Sequence, residues 1–150
     1  MRVVLQRVKE ASVSVANKSI AQINNGLLLL LGIEATDSKE DIDWLTSKIS
    51  KLRIFNDADG VMNLSLNEVA GEVIVVSQFT LHAATKKGNR PSYIKAAHPD
   101  IAEPLYELFV KEMSNKTGTS VQTGKFGAMM DVYLINDGPV TIIIDTKNKE

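Results

Sequence analysis

The segment Glu72-Val-Ile-Val-Val-Ser77 decides the fold, because an uninterrupted β-branched run is typical of a strand buried on both faces. The run continues into Gln78-Phe-Thr-Leu81 without a turn signal, so we predict one central strand over residues 72–81. The far end of this strand is polar. Hydroxyl and amide side chains are therefore expected where a buried strand reaches the surface.

Three strands are predicted upstream of this central strand. Ala11-Ser-Val-Ser-Val15 alternates strictly, and Val3 and Leu5 continue its apolar face. Turn signals at Asn17-Lys-Ser19 and Asn24-Asn-Gly26 divide the region. We predict a meander of three strands, at residues 2–15, 20–23 and 27–33.

Two helices and further strands complete the prediction. Either Asp37 or Ser38 suits an N-cap, and apolar residues recur at helical spacing after them, which predicts a helix over about residues 38–51. A second helix is predicted after Pro99, and Asn136-Asp-Gly-Pro139 is interpreted as a hairpin turn between the last two strands. The final strands are predicted near 121–123, 129–136 and 140–145. The sequence thus predicts a single α/β domain over residues 1–150, with a mixed, mainly antiparallel sheet or barrel-like β core and two helices.

Composition limits the classes of function. The chain has 150 residues, and 17 Lys and Arg against 18 Asp and Glu give a net charge of −1. This balance excludes a general electrostatic binder of nucleic acid but leaves room for a local basic patch. The absence of Cys excludes disulfides and thiolate metal sites and fits a reducing compartment. With no signal-peptide core and no apolar run near the roughly 20 residues of a membrane span, we expect a cytoplasmic protein without membrane attachment.

The polar end of the central strand is the best local indication of chemistry. It contains Ser77, Gln78, Phe79 and Thr80. Strand ends deliver hydroxyls and free backbone N–H groups into clefts, and such N–H groups stabilise an oxyanion. The alternative is that Ser77 and Thr80 only satisfy backbone groups of the following loop. No Gly-x-Ser-x-Gly nucleophile motif is present.

A compact cluster of cations follows this segment. Lys86, Lys87 and Arg90 lie beside Gly88 and Pro91. Such a cluster suits phosphate groups, and the Gly-Asn-Arg-Pro context is conformationally more particular than a solubilising loop requires. A solvated charge run is the alternative, and the residues alone leave both interpretations open.

The two histidines form no metal-binding pattern. His82 lies just past Thr80 and is a candidate base, whereas His98 precedes a helix and is interpreted as structural. Because Cys is absent and no His-Glu-x-x-His spacing occurs, a zinc hydrolase is disfavoured. We expect no metal site and no cofactor, while the spacing of the carboxylates leaves magnesium binding open as the alternative.

Four ordered motifs point to a known family. They are Ser77-Gln-Phe-Thr-Leu81, Lys86-Lys-Gly-Asn-Arg-Pro-Ser92, Thr123-Gly-Lys-Phe-Gly-Ala128 and Asn136-Asp-Gly-Pro-Val-Thr141. Together they resemble the D-aminoacyl-tRNA deacylases, also called D-tyrosyl-tRNA deacylases. The opening Met1-Arg-Val-Val-Leu-Gln-Arg-Val8 and the segment Leu52-Arg-Ile-Phe-Asn56 also look like that family, so the resemblance covers essentially the whole chain.

The resemblance implies a homodimeric enzyme that hydrolyses the ester between a D-amino acid and the terminal ribose of tRNA, and that also clears mischarged glycine. It further implies that Gly138 and Pro139 are joined by a cis peptide and reach into the partner subunit's pocket. There they would leave no space for an L side chain. Exclusion by a clash suits a proofreader that must spare L-aminoacyl-tRNA.

The same resemblance assigns roles to individual residues. The backbone N–H groups of Phe79 and Thr80 are the expected oxyanion donors. Around them, Ser77 and Gln78 shape the pocket, Ala128 and Met129 line its floor, and Arg7 helps to hold Gly138 and Pro139. The attacking group is either the Thr80 hydroxyl or a water assisted by the ribose hydroxyl of tRNA. We favour the second, because Thr80 has no evident base apart from His82.

Two other classes of function remain open at this point. One is a non-catalytic module that binds the end of tRNA through the same pocket and the cations Lys86, Lys87 and Arg90. The other is a generic esterase or peptidase, which the missing catalytic triad disfavours. Hydrolysis of D-aminoacyl-tRNA by the purified protein distinguishes the enzyme from the binding module.

Overall fold

The chain folds into eight strands, two α-helices and one 3₁₀ turn, and the computed structural model describes residues 1–150. The strands are β1 (Arg2–Val15), β2 (Lys18–Ile23), β3 (Gly26–Gly32), β4 (Phe55–Asn56), β5 (Met62–Leu64), β6 (Glu72–Ser77), β7 (Gln122–Thr123) and β8 (Asp131–Asp145). The helices are α1 (Lys39–Lys51) and α2 (Pro99–Thr117), and the 3₁₀ turn is Phe79–His82. The three strands predicted upstream and both helices are confirmed, with small shifts of their ends. The prediction that these strands form a meander was wrong, because β3 pairs with β1 and not with β2.

Six strands form one mixed sheet that nearly closes into a barrel. The order is β2-β1-β3-β6-β7, and β8 pairs with the other edge of β1. β3 runs parallel to β6 and β6 to β7, while the other pairs are antiparallel. The two outer strands of this order, β2 and β7, meet each other. The side-chain amide of Gln122 in β7 accepts a hydrogen bond from the N–H of Gln22 in β2 (2.8 Å) and donates one to the carbonyl of Gln22 (2.5 Å). The predicted α/β fold with a barrel-like core is confirmed.

β3 and β6 are buried on both faces, as their apolar runs predict. Leu27, Leu29 and Leu31 contribute to the larger core, which the sheet shares with the two helices. Leu28 and Ile74 contribute to a smaller core inside the curved sheet. Because both cores hold these two parallel strands, their C-terminal ends form a fixed edge for a site.

The helices cover one face of the sheet. The N–H of Ser38 donates to Asp41 at 3.0 Å and caps α1, as the sequence predicts. The buried Tyr106 of α2 donates from its hydroxyl to the carbonyl of Val75 at 2.8 Å, and burial raises the pKa of this phenol. No helix in the structure combines the length and the apolar character that crossing a membrane requires.

The central strand ends earlier than predicted. β6 stops at Ser77, and residues 79–82 form the 3₁₀ turn. The N–H of Gln78 makes the last bond to the sheet, donating to the carbonyl of Leu31 at 2.8 Å. A strand through Leu81 was the wrong prediction, because a residue pattern does not show where the neighbouring strand ceases to offer partners.

The segment Asn136–Pro139 is not a hairpin turn. β8 continues through it and pairs with β1 on both sides, with Asn136 opposite Val8 and Thr141 opposite Gln6. Two steps along β1 thus correspond to five along β8, and the extra residues bulge out of the sheet. The Gly138–Pro139 peptide is cis, and Gly138 has a φ of +126°. We call residues 136–140 the β8 bulge.

Candidate active site

A cleft of about 750 Å³ opens at the edge of the sheet where β3 and β6 end. Six of the predicted site residues line it together: Ser77, Gln78, Phe79, Thr80, Ala128 and Met129. The wall is mainly apolar, and Tyr93 and His98 are the only lining residues with ionisable side chains. An apolar cleft with few polar groups is typical of a site for a small molecule or a small part of a larger one. No three His, Asp or Glu side chains converge where they could hold a metal ion.

The 3₁₀ turn presents two backbone N–H groups that no carbonyl of the turn accepts. The bonds of the turn run from Leu81 N to Gln78 O (3.2 Å) and from Ala83 N to Thr80 O (3.1 Å). Phe79 and Thr80 hold the first two positions, where N–H groups have no partner within a helical turn. Adjacent N–H groups at the wall of an apolar cleft can stabilise a developing oxyanion.

The Thr80 hydroxyl is not paired with a base. Its Oγ1 accepts a hydrogen bond from Nε2 of Gln78 at 2.5 Å. An amide that donates to a hydroxyl does not remove the hydroxyl proton, so this contact orients the two side chains without activating a nucleophile.

His82, the candidate base, lies behind the turn and does not line the cleft. Its side chain is 2% exposed, and Nδ1 lies 3.0 Å from Oε1 of Glu34 without hydrogen-bond geometry. The ring packs on Gly32, where a Cβ atom would lie 3.0 Å from both Cδ2 and Nε2 of the ring. His82 therefore fixes the turn against the end of β3.

Arg2 is a second support of the turn, and no motif in the sequence predicts this role. Its Nη1 donates to the carbonyl of Leu81 at 2.8 Å, while Nε and Nη2 donate to Oδ2 of Asp145 at 2.9 and 2.7 Å. Burial acts to raise the pKa of Asp145, but the N–H of Lys147 and the Arg2 guanidinium hold it below its ordinary value. Arg2 and Asp145 are 143 positions apart in the sequence, so their ion pair can be predicted only when the pairing of β1 with β8 is known.

Ala128 and Met129 lie between β7 and β8 and both line the cleft. Met129 is 92% exposed, so it stands at the mouth of the cleft and not on its floor. A large apolar side chain at the open rim of a cleft is a feature of surfaces that another molecule covers.

Arg7 is buried in β1 and holds the β8 bulge. Its Nε donates to the carbonyl of Asp137 at 3.1 Å and lies 3.2 Å from the carboxylate of that residue. Its Nη1 donates to the carbonyl of Ile54 (2.5 Å) and to Oδ1 of Asn56 (3.3 Å). A Cβ atom on Gly138 would lie 3.0 Å from Nη2 of Arg7. One guanidinium thus connects the bulge to the chain after α1.

Within one chain the β8 bulge is remote from the cleft. Arg7 pairs with Leu27 near the start of β3, whereas the cleft lies at Leu31 and beyond. Four residues of extended strand span about 13 Å. Gly138 and Pro139 are exposed and do not line the cleft of their own chain.

The predicted phosphate-binding cations lie in an exposed loop after the 3₁₀ turn. We call residues 84–92 the basic loop; Ala84 and Ser92 close it by exchanging backbone hydrogen bonds of 2.8 and 3.0 Å. Lys86, Lys87 and Arg90 are exposed and form no salt bridge. They do not line the cleft, so they are available to a ligand that extends beyond it.

Comparison with known proteins identifies the family. The D-Tyr-tRNA(Tyr) deacylase family matches residues 4–145. The chain belongs to that family. Relatives in Flavobacterium johnsoniae and Bacteroides fragilis are each 62% identical over 150 residues, with the whole of both chains covered, and are named D-aminoacyl-tRNA deacylase.

Solved structures share the fold of this deacylase-family chain. The c-Myc DNA unwinding element binding protein is 37% identical, with a TM-score of 0.90 over 97% of this chain and 98% of that one. A probable eukaryotic D-amino acid tRNA deacylase is 18% identical, with a TM-score of 0.83 over 95% of this chain and 97% of that one. At this lower identity the likeness concerns the fold alone.

Proposed function

We propose that the chain hydrolyses the ester bond of D-aminoacyl-tRNA and releases the D-amino acid and tRNA. The proposal is carried by the two N–H groups of Phe79 and Thr80 at the wall of an apolar cleft, in a member of the deacylase family. No carboxylate, Lys or Arg lines this cleft. The polar groups on its wall are the backbone groups of the turn and the side chains of Ser77, Gln78, Thr80, Tyr93 and His98.

The reaction adds water to the ester carbonyl and breaks its bond to the ribose oxygen. As the carbonyl oxygen becomes negative, it accepts hydrogen bonds from the N–H groups of Phe79 and Thr80. Removal of one such donor typically slows a reaction about 100- to 1000-fold. The adjacent ribose hydroxyl of tRNA assists the attacking water, since the Thr80 hydroxyl is held by Gln78 and has no base. Collapse of the tetrahedral intermediate leaves the proton on the departing ribose oxygen.

Selectivity for D-amino acids arises in a homodimer, where Gly138 and Pro139 of each subunit enter the cleft of the other. Their distance from the cleft of their own chain supports this arrangement. So does β8, whose outer edge is unpaired and carries exposed apolar side chains. These are Val132, Tyr133, Ile135 and Ile143. The entering dipeptide clashes with an L side chain but not with a hydrogen atom, so glycyl-tRNA is also hydrolysed.

The basic loop binds the phosphates of the tRNA end while the aminoacyl group occupies the cleft. Its three cations, Lys86, Lys87 and Arg90, are exposed and have no acidic partner. Contacts of this kind supply affinity without reading sequence, which suits an enzyme that must act on many tRNAs. Because its substrates arise in protein synthesis, we propose that it acts in the cytoplasm.

The test is a deacylation assay with matched D-tyrosyl-, L-tyrosyl- and glycyl-tRNA. We expect rapid release of D-tyrosine and glycine while L-tyrosyl-tRNA is spared. Binding of D-tyrosyl-tRNA without release would identify a non-catalytic tRNA-end binding module and overturn the proposal. Equal rates on the D and L esters would refute the exclusion by Gly138 and Pro139, and a monomer in analytical ultracentrifugation would refute the dimer.

A further inference from the structure

Phe79 supplies one of the proposed oxyanion donors, yet the protein core does not hold its side chain. The side chain is 57% exposed at the wall of the cleft. The supports behind the turn act elsewhere: Arg2 bonds the carbonyl of Leu81, and His82 packs on Gly32. Both contacts hold the C-terminal half of the turn. At the N-terminal end, the N–H of Gln78 donates to the carbonyl of Leu31 at 2.8 Å, but this bond leaves the side chain of Phe79 without a support of its own.

Tyr93 provides that support. Its ring packs edge-on against the ring of Phe79, with centroids 5.1 Å apart and planes at 76°. This is a favoured geometry for an aromatic pair. Tyr93 is itself 40% exposed and lines the cleft, so the contact lies at the surface of the site and not in the core.

The backbone of Tyr93 is fixed on both sides. Before it, the hydrogen bonds between Ala84 and Ser92 close the basic loop. After it, the N–H of Ala96 donates to the carbonyl of Tyr93 at 3.0 Å, and the N–H of Ala97 donates to Ile33 at 2.9 Å. The ring therefore projects from a segment that is attached to the end of β3, and it is a fixed surface for Phe79 to rest on.

We infer that Tyr93 is a positioning residue for hydrolysis, which holds the Phe79 N–H in line with the developing oxyanion. This role depends on the proposed deacylase function. Tyr93 acts through Phe79, so its loss lets the exposed ring and the attached backbone move and weakens stabilisation of the transition state. Binding of tRNA phosphates by the basic loop uses other groups and is left intact. Loss of the Tyr93 ring should therefore lower kcat and leave KM unchanged.

Tyr93→Ala and Tyr93→Phe test this role, with Ile94→Ala as the matched control. Ile94 is the next residue, is 89% exposed and is absent from the cleft wall. Each protein is measured on D-tyrosyl-tRNA and on the short ester D-tyrosyl-adenosine, which has no phosphates. We expect Tyr93→Ala to lower kcat about tenfold on both substrates with KM for tRNA and melting temperature unchanged. Tyr93→Phe, which keeps the ring, and Ile94→Ala should behave as wild type.

Three results would overturn the role of Tyr93. They are an unchanged kcat in Tyr93→Ala, a loss confined to KM or to the full-length tRNA, and a loss that Tyr93→Phe shares in full. If Tyr93→Ala unfolds, Tyr93→Leu takes its place, because Leu fills much of the volume but has no ring edge. If the wild-type chain hydrolyses neither ester, the deacylase function itself is refuted. If the wild type is active and Tyr93→Ala is unaffected, only the role of Tyr93 is refuted.

Discussion

Replacement of Arg7 by Met removes a cation that joins three segments of the chain. The guanidinium bonds the carbonyls of Ile54 and Asp137 and the side chain of Asn56. Met has a similar apolar stem and no donor, so packing along β1 is largely retained. The change in the free energy of unfolding then measures the loss of the polar contacts and not the creation of a cavity.

The size of the effect follows from the burial of these partners. A hydrogen bond to a charged group contributes about 1.5–3 kcal/mol, and Arg7 makes two such bonds to backbone carbonyls. The Asp137 side chain is 32% exposed, so water replaces part of what its carboxylate loses. We expect Arg7→Met to lower the free energy of unfolding by about 3 kcal/mol, the lower end for a broken buried ion pair. Arg7→Lys keeps the charge but reaches fewer acceptors, and should lose about half as much.

Urea titration followed by circular dichroism measures the effect, and Arg53→Met is the control. Arg53 also donates from Nε to a backbone carbonyl, that of Asn63 at 2.8 Å, but at an exposed site. Its replacement should cost less than about 0.5 kcal/mol. Equal losses in the two variants would refute the conclusion that Arg7 holds the β8 bulge. Under the proposed function, Arg7→Met should also narrow the ratio of D- to L-aminoacyl-tRNA hydrolysis, because the bulge carries Gly138 and Pro139.

Three further predictions concern other parts of the chain. Thr80→Ala should keep single-turnover hydrolysis within about tenfold of wild type, because the donor is its N–H; complete loss would favour Thr80 as nucleophile. Joint replacement of Lys86, Lys87 and Arg90 by Gln should raise KM for tRNA and flatten its salt dependence with kcat nearly unchanged, and a fall in kcat alone would contradict phosphate binding. Asp41→Asn should lower the free energy of unfolding at pH 7 by about 1 kcal/mol. Burial opposes ionisation of Asp41, but bonds from Lys147, Thr146 and the N–H of Ser38 hold its pKa well below the ordinary value. This stabilisation is therefore complete above roughly pH 4 and shrinks gradually as the pH falls toward the lowered pKa. Urea titrations of both proteins at pH 7 and pH 2.5 check it: the difference should be smaller at pH 2.5, and an equal difference at the two pH values would refute the assignment.

The strands at the centre of the sheet were predictable because strands buried on both faces consist of continuous apolar residues. The apolar runs of β3 and β6 have no polar face, and such runs occur where both faces are covered. The end of β6 was not predictable in the same way. Phe79 and Leu81 are apolar and fit a strand, but β3 offers no partner past Leu31. The end of β6 is therefore decided by where β3 ends, and β3 is distant in the sequence, so the local residue pattern does not show it.

The β8 bulge shows the same limit for turn chemistry. Asn, Gly and Pro suit a hairpin turn and a bulge equally well, since both need unusual backbone angles. The two differ only in the partner of the flanking segments, which is β1 on both sides. Tyr93 and Arg2 were missed for a related reason. Their roles rest on contacts with the 3₁₀ turn, which no spacing along the chain reveals.

The proposed chemistry is carried by main-chain atoms, and this changes which residues belong to the site. Every residue except Pro has an N–H, so the identity of Phe79 or Thr80 does not by itself create an oxyanion donor. What the sequence encodes is the path of the backbone: Gly32 admits the His82 ring at 3.0 Å, and Arg2 fixes the carbonyl of Leu81. Substitution of a residue behind the turn should therefore slow hydrolysis as much as substitution of one that lines the cleft. Gly32→Ala is the sharpest case, because its Cβ would press on His82 and move the turn without touching the substrate.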